Sequence, residues 1–421
     1  MFNINKLYIC IWVVSSLFSV GILPAQQHLS QPYSRYGLGE MQSRSSASLR
    51  GMGTTGYAFG EAATVNSLNP ASYRSFDSLS SIIDASFSFR SHTLRESGSR
   101  QSGSTAFMEY LYLGLPVTSH WSTAFGIQPY SIVNYSYGKK DLLCERHDEG
   151  HGGTYEAFWG NSLDLAPFVS VGIQASYLFG TSFRQHELLF GDNSYLNTRS
   201  EDNYRINGLL LTAGLQVDVP VGNNRLGVGM VFTPSVPSLM RVEHQMLRLT
   251  FQSSSSENVL DTLAWTSTEK NVVREQLANP TVIGGGLSFS GKQFWIGCDV
   301  TWSQWSILST SEPLGDSYRF SVGGRTIPAA QSSRYWKRIM GMYGVFYEKN
   351  YVQQQEESLL RYGIDFGLSF PMKKSKTRIS TYVEFGNYLL PNPDDGISEQ
   401  YVSLILQVQL HEKWYQRRKL D

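Results

Sequence analysis

The feature that most constrains this chain is a two-residue alternation of apolar and polar side chains, sustained over long stretches. Along residues 209–219 one side carries Leu209, Leu211, Ala213, Leu215, Val217 and Val219, and the other carries Leu210, Thr212, Gly214, Gln216 and Asp218. Along residues 294–302 the apolar side is Phe294, Ile296, Cys298, Val300 and Trp302, opposite Trp295, Gly297, Asp299 and Thr301. Residues 362–370, 379–385 and 401–410 repeat the pattern. Successive side chains of a β-strand point to opposite faces, so each segment has one greasy and one polar side. A soluble β-sandwich produces the same alternation. Three features select a barrel that spans a membrane instead. The strands are long, as a tilted membrane strand of ~9–11 residues requires. Gly, Asp, Arg and Glu share the polar side, as in a lumen. Tyr, Trp and Phe gather near strand ends, where aromatic girdles form.

Composition narrows the alternatives. Charged residues make up 17% of the chain, with 35 basic and 35 acidic, so the formal net charge is zero. A nucleic-acid partner is not expected, because its electrostatic footprint would be a basic excess. A helical membrane protein needs apolar runs of roughly 20 residues, and beyond the first 25 positions none occurs. Those first residues carry Lys6 before an apolar run from Leu7, ending in Pro24-Ala25. They read as a signal peptide over residues 1–25, the alternative being a retained anchor, for which the run is short. With Cys10 in that segment, Cys144 and Cys298 remain, and two cysteines cannot staple so long a chain.

Strand-like segments begin near residues 79, 106, 121, 154, 168, 204, 224, 239, 262, 281, 293, 316, 338, 358, 377 and 398. An all-β fold follows: a transmembrane antiparallel β-barrel over residues 79–421, of about 14 strands if some segments are halves of bent ones. Residues 26–78 lack long alternation and are rich in Gly, Ser and Arg. They read as a periplasmic tail or as a plug folded into the lumen.

At Arg50-Gly51-Met52-Gly53, Ala62-Ala63-Thr64-Val65 and Asn69-Pro70-Ala71-Ser72 the chain resembles the FadL-like outer-membrane transporters of hydrophobic compounds. The resemblance implies an N-terminal hatch over residues 26–78, with Gly51, Gly53, Asn69, Pro70 and Ala71 as its motif, before a 14-stranded barrel. It implies an integral protein of the bacterial outer membrane that takes up hydrophobic small molecules passively through a hatch-gated lumen. The aromatic and basic run at residues 411–419 resembles the tail of FadL-related barrels in bacteria with type IX secretion. Relatives of that kind also serve as barrel subunits of outer-membrane secretion or assembly complexes, which is the second reading. Partners implied are outer-membrane lipid and either a hydrophobic small molecule or other outer-membrane proteins.

The inward side supplies the candidate lumen residues Asp218, Trp295, Asp299, Arg319, Asp365, Tyr382 and Glu384, with Arg325 beside them. They are expected to pack against the hatch through Arg50, Glu61 and Arg74, Trp295 and Tyr382 being candidate ligand contacts. No Ser-His-Asp set has local support, so no enzyme and no cofactor are expected. Cys144, His147, Asp148 and His151 are metal-binding types, but they are read as a polar loop and no metal site is assigned. Trp302, Trp305 and Trp336 are expected in the girdles. Residues 142–154 and 183–203 are expected as loops at an extracellular entrance. A transporter should carry a continuous apolar pocket reaching the hatch, whereas a subunit can have a polar, filled lumen.

Overall fold

The computed structural model describes residues 31–96, 99–140, 144–190, 197–236, 239–253, 256–268, 279–306, 314–328, 332–354, 357–372, 377–389 and 398–413. The signal segment 1–25 and the end of the basic tail, 414–421, lie outside these residues. In chain order the strands are β1 (Glu40–Met41), β2 (Ser80–Glu96), β3 (Ser99–Pro116), β4 (Trp121–Lys140), β5 (Cys144–Ala166) and β6 (Val169–Phe190). Then follow β7 (Asn197–Val221), β8 (Asn224–Thr233), β9 (Leu239–Ser253), β10 (Ser256–Thr268), β11 (Thr281–Ser290) and β12 (Phe294–Gln304). The last are β13 (Ser317–Thr326), β14 (Met340–Gln354), β15 (Glu357–Pro371), β16 (Arg378–Leu389) and β17 (Ser398–Lys413).

Strands β2–β8 and β11–β17 make a closed 14-strand antiparallel ring. β8 pairs directly with β11, and β17 pairs with β2 from Ser398↔Arg95 to Lys413↔Ser80 to shut the seam. The burial pattern is inside out relative to a water-soluble sheet. Leu209 and Ile173 are 58% and 65% exposed, while Gln174 and Gln216 are at most 1% exposed. Phe87, Phe125, Met230, Val300, Phe320, Ile364 and Val402 continue the apolar outer belt. Exposing that much apolar surface to water opposes folding by about 25 cal/mol per Å², so the arrangement requires lipid on the outside. A one-residue slip would turn the inner charges toward hydrocarbon, which fixes the register.

Three strands far exceed what a membrane needs: β5, β6 and β7 run for 23, 22 and 25 residues against ~9–11. Their far halves occupy most of residues 142–154 and 183–203, so those segments are strand where loops were expected. Beyond the lipid belt the outer face meets water while the inner face buries polar groups such as Asp148, Arg184 and Glu187, so polar residues serve on either side and the alternation fades from the sequence. Asp148, fully buried on β5, holds this extension together by accepting from Arg146 at 2.9 Å and from His186 at 2.6 Å. Cys144 is thus the first residue of β5 rather than part of a loop. Strand alternation puts Cys144 and Asp148 on one face and His147 and His151 on the other.

The number of strand-like segments has a simple cause. β9 and β10 form a hairpin outside the ring, and β9 pairs with the first half of β7 (Asn197↔Leu249 to Asn207↔Leu239). The second half of β7 pairs with the shorter β8. The two extra segments are this hairpin, not halves of bent strands. Trp305 also departs from expectation: it is buried and stacks on Tyr351 with centroids 4.3 Å apart. It lies just past the end of β12, where strand alternation no longer says which way a side chain turns. Trp302 donates to Asp316 at 3.3 Å, and Trp336 is 79% exposed.

Residues 31–78 hold little regular structure: 3-10 turns at Pro32–Arg35 and Pro70–Ser75, one helical turn at Ala47–Arg50, and β1. Their buried residues Leu49, Met52, Phe59, Val65 and Tyr73 share a core with inward Tyr112, Phe158, Trp295 and Tyr382 of the ring. Hydrogen bonds from this segment reach inward residues on β2, β3, β5, β6, β7, β11, β12, β13, β16 and β17. Only a segment inside the ring can touch so many of its sides.

Candidate functional site

The N-terminal segment and the wall around it form the candidate site, built from buried charge. Arg50, at the end of the short helix, donates to Glu109 of β3 and, at 2.7 Å, to Glu384 of β16. Glu384 also accepts from Arg361 at 2.9 Å and Tyr401 at 2.6 Å. Asp365 lies directly across from Glu384 in the β15–β16 pair. Glu61 accepts from Arg325 at 2.6 Å and Arg378 at 2.8 Å. Arg44 grips both oxygens of Glu156 at 2.8 Å. Glu40 accepts from Arg90 at 3.1 Å and Tyr388 at 2.8 Å. Arg319 donates to Glu348 at 2.6 Å and to the Gly53 carbonyl at 3.2 Å. Charges taken out of water persist only when paired and hydrogen-bonded, and here each pairing joins wall to wall or wall to segment.

Hydrogen bonds to the segment's backbone complete the fit. Asp299 Oδ2 accepts from the Gly56 and Tyr57 amides at 2.6 and 2.9 Å. Replacing Asp299 with Ala strands two buried N–H groups, each at about 1–3 kcal/mol. Asp299→Ala is therefore expected to expose residues 54–60 to limited proteolysis while the barrel still runs as a compact species in cold detergent. The Asn69 side chain caps the turn Pro70–Ser75 by accepting from Ala71 N at 3.0 Å, and it donates to the carbonyls of Tyr57 and Leu215. Asn is a favoured cap, and Pro at the first helical position suits it. Ala71 O accepts from Ser170 at 2.9 Å. Gly51 lies against the Tyr382 ring, where an added Cβ would come within 2.3 Å, and Gly53 has φ +70°, a region that favours glycine.

The remaining lumen candidates scatter. Trp295 packs edge-on to Phe59 at 5.0 Å, and Tyr382 donates to Gln407 at 2.7 Å, so both aromatics are enclosed by neighbours. Asp218 lies near the β7–β8 turn, accepting from Gln216 at 3.1 Å. Arg74 donates to the Pro167 carbonyl at 2.6 Å. A cavity bounded by Gln31, Glu40, Asn350, Tyr388 and Glu399 measures about 10 Å³, room for one water molecule. Sequence reading missed Glu109, Glu156, Arg361 and Arg378, because their partners lie far away along the chain.

Glu61 gives the lattice a pH signature. Burial alone would raise its carboxyl, but Arg325 and Arg378 outweigh that and hold it at about 2, below the ordinary 4.5. A depressed folded value means that the stabilisation is present above the ordinary value and is lost as pH falls through about 2. The segment should therefore lose protection from protease progressively as pH falls from about 4.5 to about 2. In Glu61→Gln the part of that loss carried by Glu61 should vanish.

The wall itself divides beside this lattice. β3 and β4 pair only from Leu111↔Ile127 to Pro116↔Ser122. Past that point β4 turns inward at Pro129, which has no N–H to give a neighbour. Tyr130 is bulged out of the β4–β5 register, and β4 takes β1 as an inner partner through Ser131 and Ile132. Tyr130, Val133 and Tyr135 are consequently buried. On β3 a second bulge skips Glu109 in the pairing with β2. The two bulges flank the point of divergence, and Arg50 is fastened to one of them.

A search among curated proteins found no match. Among solved structures the chain is similar to a FadL homologue of Pseudomonas aeruginosa, at 11% identity, 90% of this chain and 100% of that one covered, and TM-score 0.59. It is similar to the toluene transporter TbuX of Ralstonia pickettii, at 11% identity, coverage of 87% and 98%, and TM-score 0.62. It is similar also to the toluene transporter TodX of P. putida, at 12% identity, coverage of 89% and 100%, and TM-score 0.59. At such identities the likeness is one of fold, that of the FadL-like outer-membrane barrel. The BamG family model matches residues 4–421, nearly the whole sequence, and the chain belongs to the BamG family.

Proposed function

We propose that this protein is a non-transporting barrel subunit of a multiprotein outer-membrane assembly complex, its lumen closed by the N-terminal segment acting as a fixed plug. The observation that carries the reading is the charge lattice at Arg50, Glu61, Arg44 and Glu40, which ties the plug to opposite sides of the ring. Removing one partner of a buried pair is destabilising by about 3–5 kcal/mol. A hydrophobic ligand brings no charge to replace what it would displace, so the lattice opposes a hatch that shifts for greasy cargo. The BamG name, which points to an assembly complex, supports the same role. In this reading the barrel catalyses no reaction and holds no cofactor. In bacteria with type IX secretion, the subgroup that the tail resembles, the complex is an assembly or secretion machine of the outer membrane.

Passive uptake of hydrophobic small molecules is the second reading, favoured by the divided wall between β3 and β4 and by the toluene transporters that share the fold. Gentle detergent extraction from native membranes, followed by size analysis and mass spectrometry, separates the two. Stoichiometric protein partners without a bound hydrocarbon are expected. A lone barrel loaded with lipid or hydrocarbon would overturn the subunit reading.

A further inference from the structure

β3 carries a long open edge. Along residues 99–110, among the described residues, its one strand partner is β2, because β4 has turned into the lumen. Natural sheets guard such edges with lysines, prolines, bulges or short length. Before Glu109 this edge has no lysine, proline or bulge and one charge, Arg100 at its polar end: it reads Ser-Arg-Gln-Ser-Gly-Ser-Thr-Ala-Phe-Met, and its pairing with β2 is unbroken from Ser99 to Met108.

Depth sharpens the point. Met108 and Ala106 face Phe87 and Phe89 across the β2–β3 pair, and both phenylalanines belong to the apolar outer belt. Residues 106–110 therefore sit at hydrocarbon depth, where each unsatisfied backbone group costs several kcal/mol. Above them Ser91 pairs with Ser104 and the strand becomes polar. At that depth neither lipid tails nor a hydrocarbon can hydrogen-bond to residues 106–110. An extended strand can, provided it is apolar at the depth of Met108 and polar toward Arg100.

We propose that residues 99–110 of β3 take up, by strand addition, a β-strand of a partner outer-membrane protein. The proposal rests on the subunit reading and names the surface through which that subunit engages its complex. The occupant is a membrane-level strand with alternating side chains and an apolar lower end. It completes a wall that this chain leaves open on its own.

Hydrogen exchange on the full complex and on the separated barrel tests it. Alternate amides of residues 99–110 should exchange at least ~10-fold more slowly in the complex. Placing edge-guarding charge with Ser102→Lys and Ser104→Lys, both at exposed positions, should cut partner recovery by about tenfold while the barrel stays folded. Equal exchange in the two samples, with the partner still bound, overturns the docking edge and leaves the subunit reading standing. Protection that is already complete in the separated barrel also overturns it, as does protection arising from a second copy of this chain. If no partner is recovered with the wild-type protein, the subunit reading fails and the proposal falls with it.

Discussion

Arg50→Ala should be the most damaging single substitution in the lumen. Arg50 is 5% exposed and is the charge that links the plug to both β3 and β16. Without it Glu384 keeps Arg361 and Tyr401, but among the described residues Glu109 keeps only a 3.4 Å contact from Ser86. Asp365 lies directly opposite Glu384, so the pocket that loses the cation holds a second acidic side chain. Breaking a buried pair on one side is destabilising by about 3–5 kcal/mol, since the orphaned charge must be neutralised or the site must open to water. The expected result is a barrel that unfolds in detergent at a clearly lower temperature, read by its electrophoretic shift on heating, with new protease cuts near residues 50–60. Adding Glu109→Gln should restore part of the loss, because a neutral amide leaves no buried charge behind. If Arg50→Ala melts and resists protease as the wild type does, the lattice does not hold the plug, and the argument against a moving hatch loses its support.

The outside of this molecule is far more legible from sequence than its inside, for a physical reason. Lipid asks every outward position the same question, so Leu209, Phe232, Ile364 and Phe366 declare themselves by being apolar at every second place. The lumen asks each position a different question. Glu384 is recognisable as inward-facing, yet its partner Arg50 is 334 residues away and nothing local names it. Asn69-Pro70 enters through the family resemblance; the structure adds a local reason, since a cap and a first-turn proline act within three residues. The far halves of β5, β6 and β7 are not legible, because their outer face meets water and their buried face is itself polar, at Asp148, Arg184 and Glu187, so no apolar alternation marks them. The turn of β4 into the lumen at Pro129 has a local sign, a proline within a strand. Its consequence for the neighbouring β3 depends on pairing that no single segment encodes.

Three strand glycines set up the second large effect, one that reverses an ordinary rule. Glycine inside a strand or helix is normally worse than alanine by roughly 0.5–1 kcal/mol, so alanine there is expected to help. At Gly229, Gly323 and Gly344 the added Cβ would come within 1.9 Å of the Tyr57 carbonyl oxygen, 2.0 Å of the Met52 carbonyl oxygen and 2.0 Å of the Gly53 nitrogen. These are backbone atoms of the plug and cannot swing aside as a side chain can. Overpacking a filled interior costs about 1–3 kcal/mol, and here it acts on the segment alone. Each alanine variant should keep its barrel strands while residues 52–58 become open to protease. The internal control lies on β11. Gly285 has open space where its Cβ would go, whereas at Gly286 the Cβ would fall 2.1 Å from Asp299 Oδ1. Gly285→Ala should be neutral or slightly stabilising, and Gly286→Ala, one residue along the same strand, should loosen the plug at Asp299. If both behave alike, strand preference dominates at these sites, and the plug does not press against the wall as closely as these glycines imply.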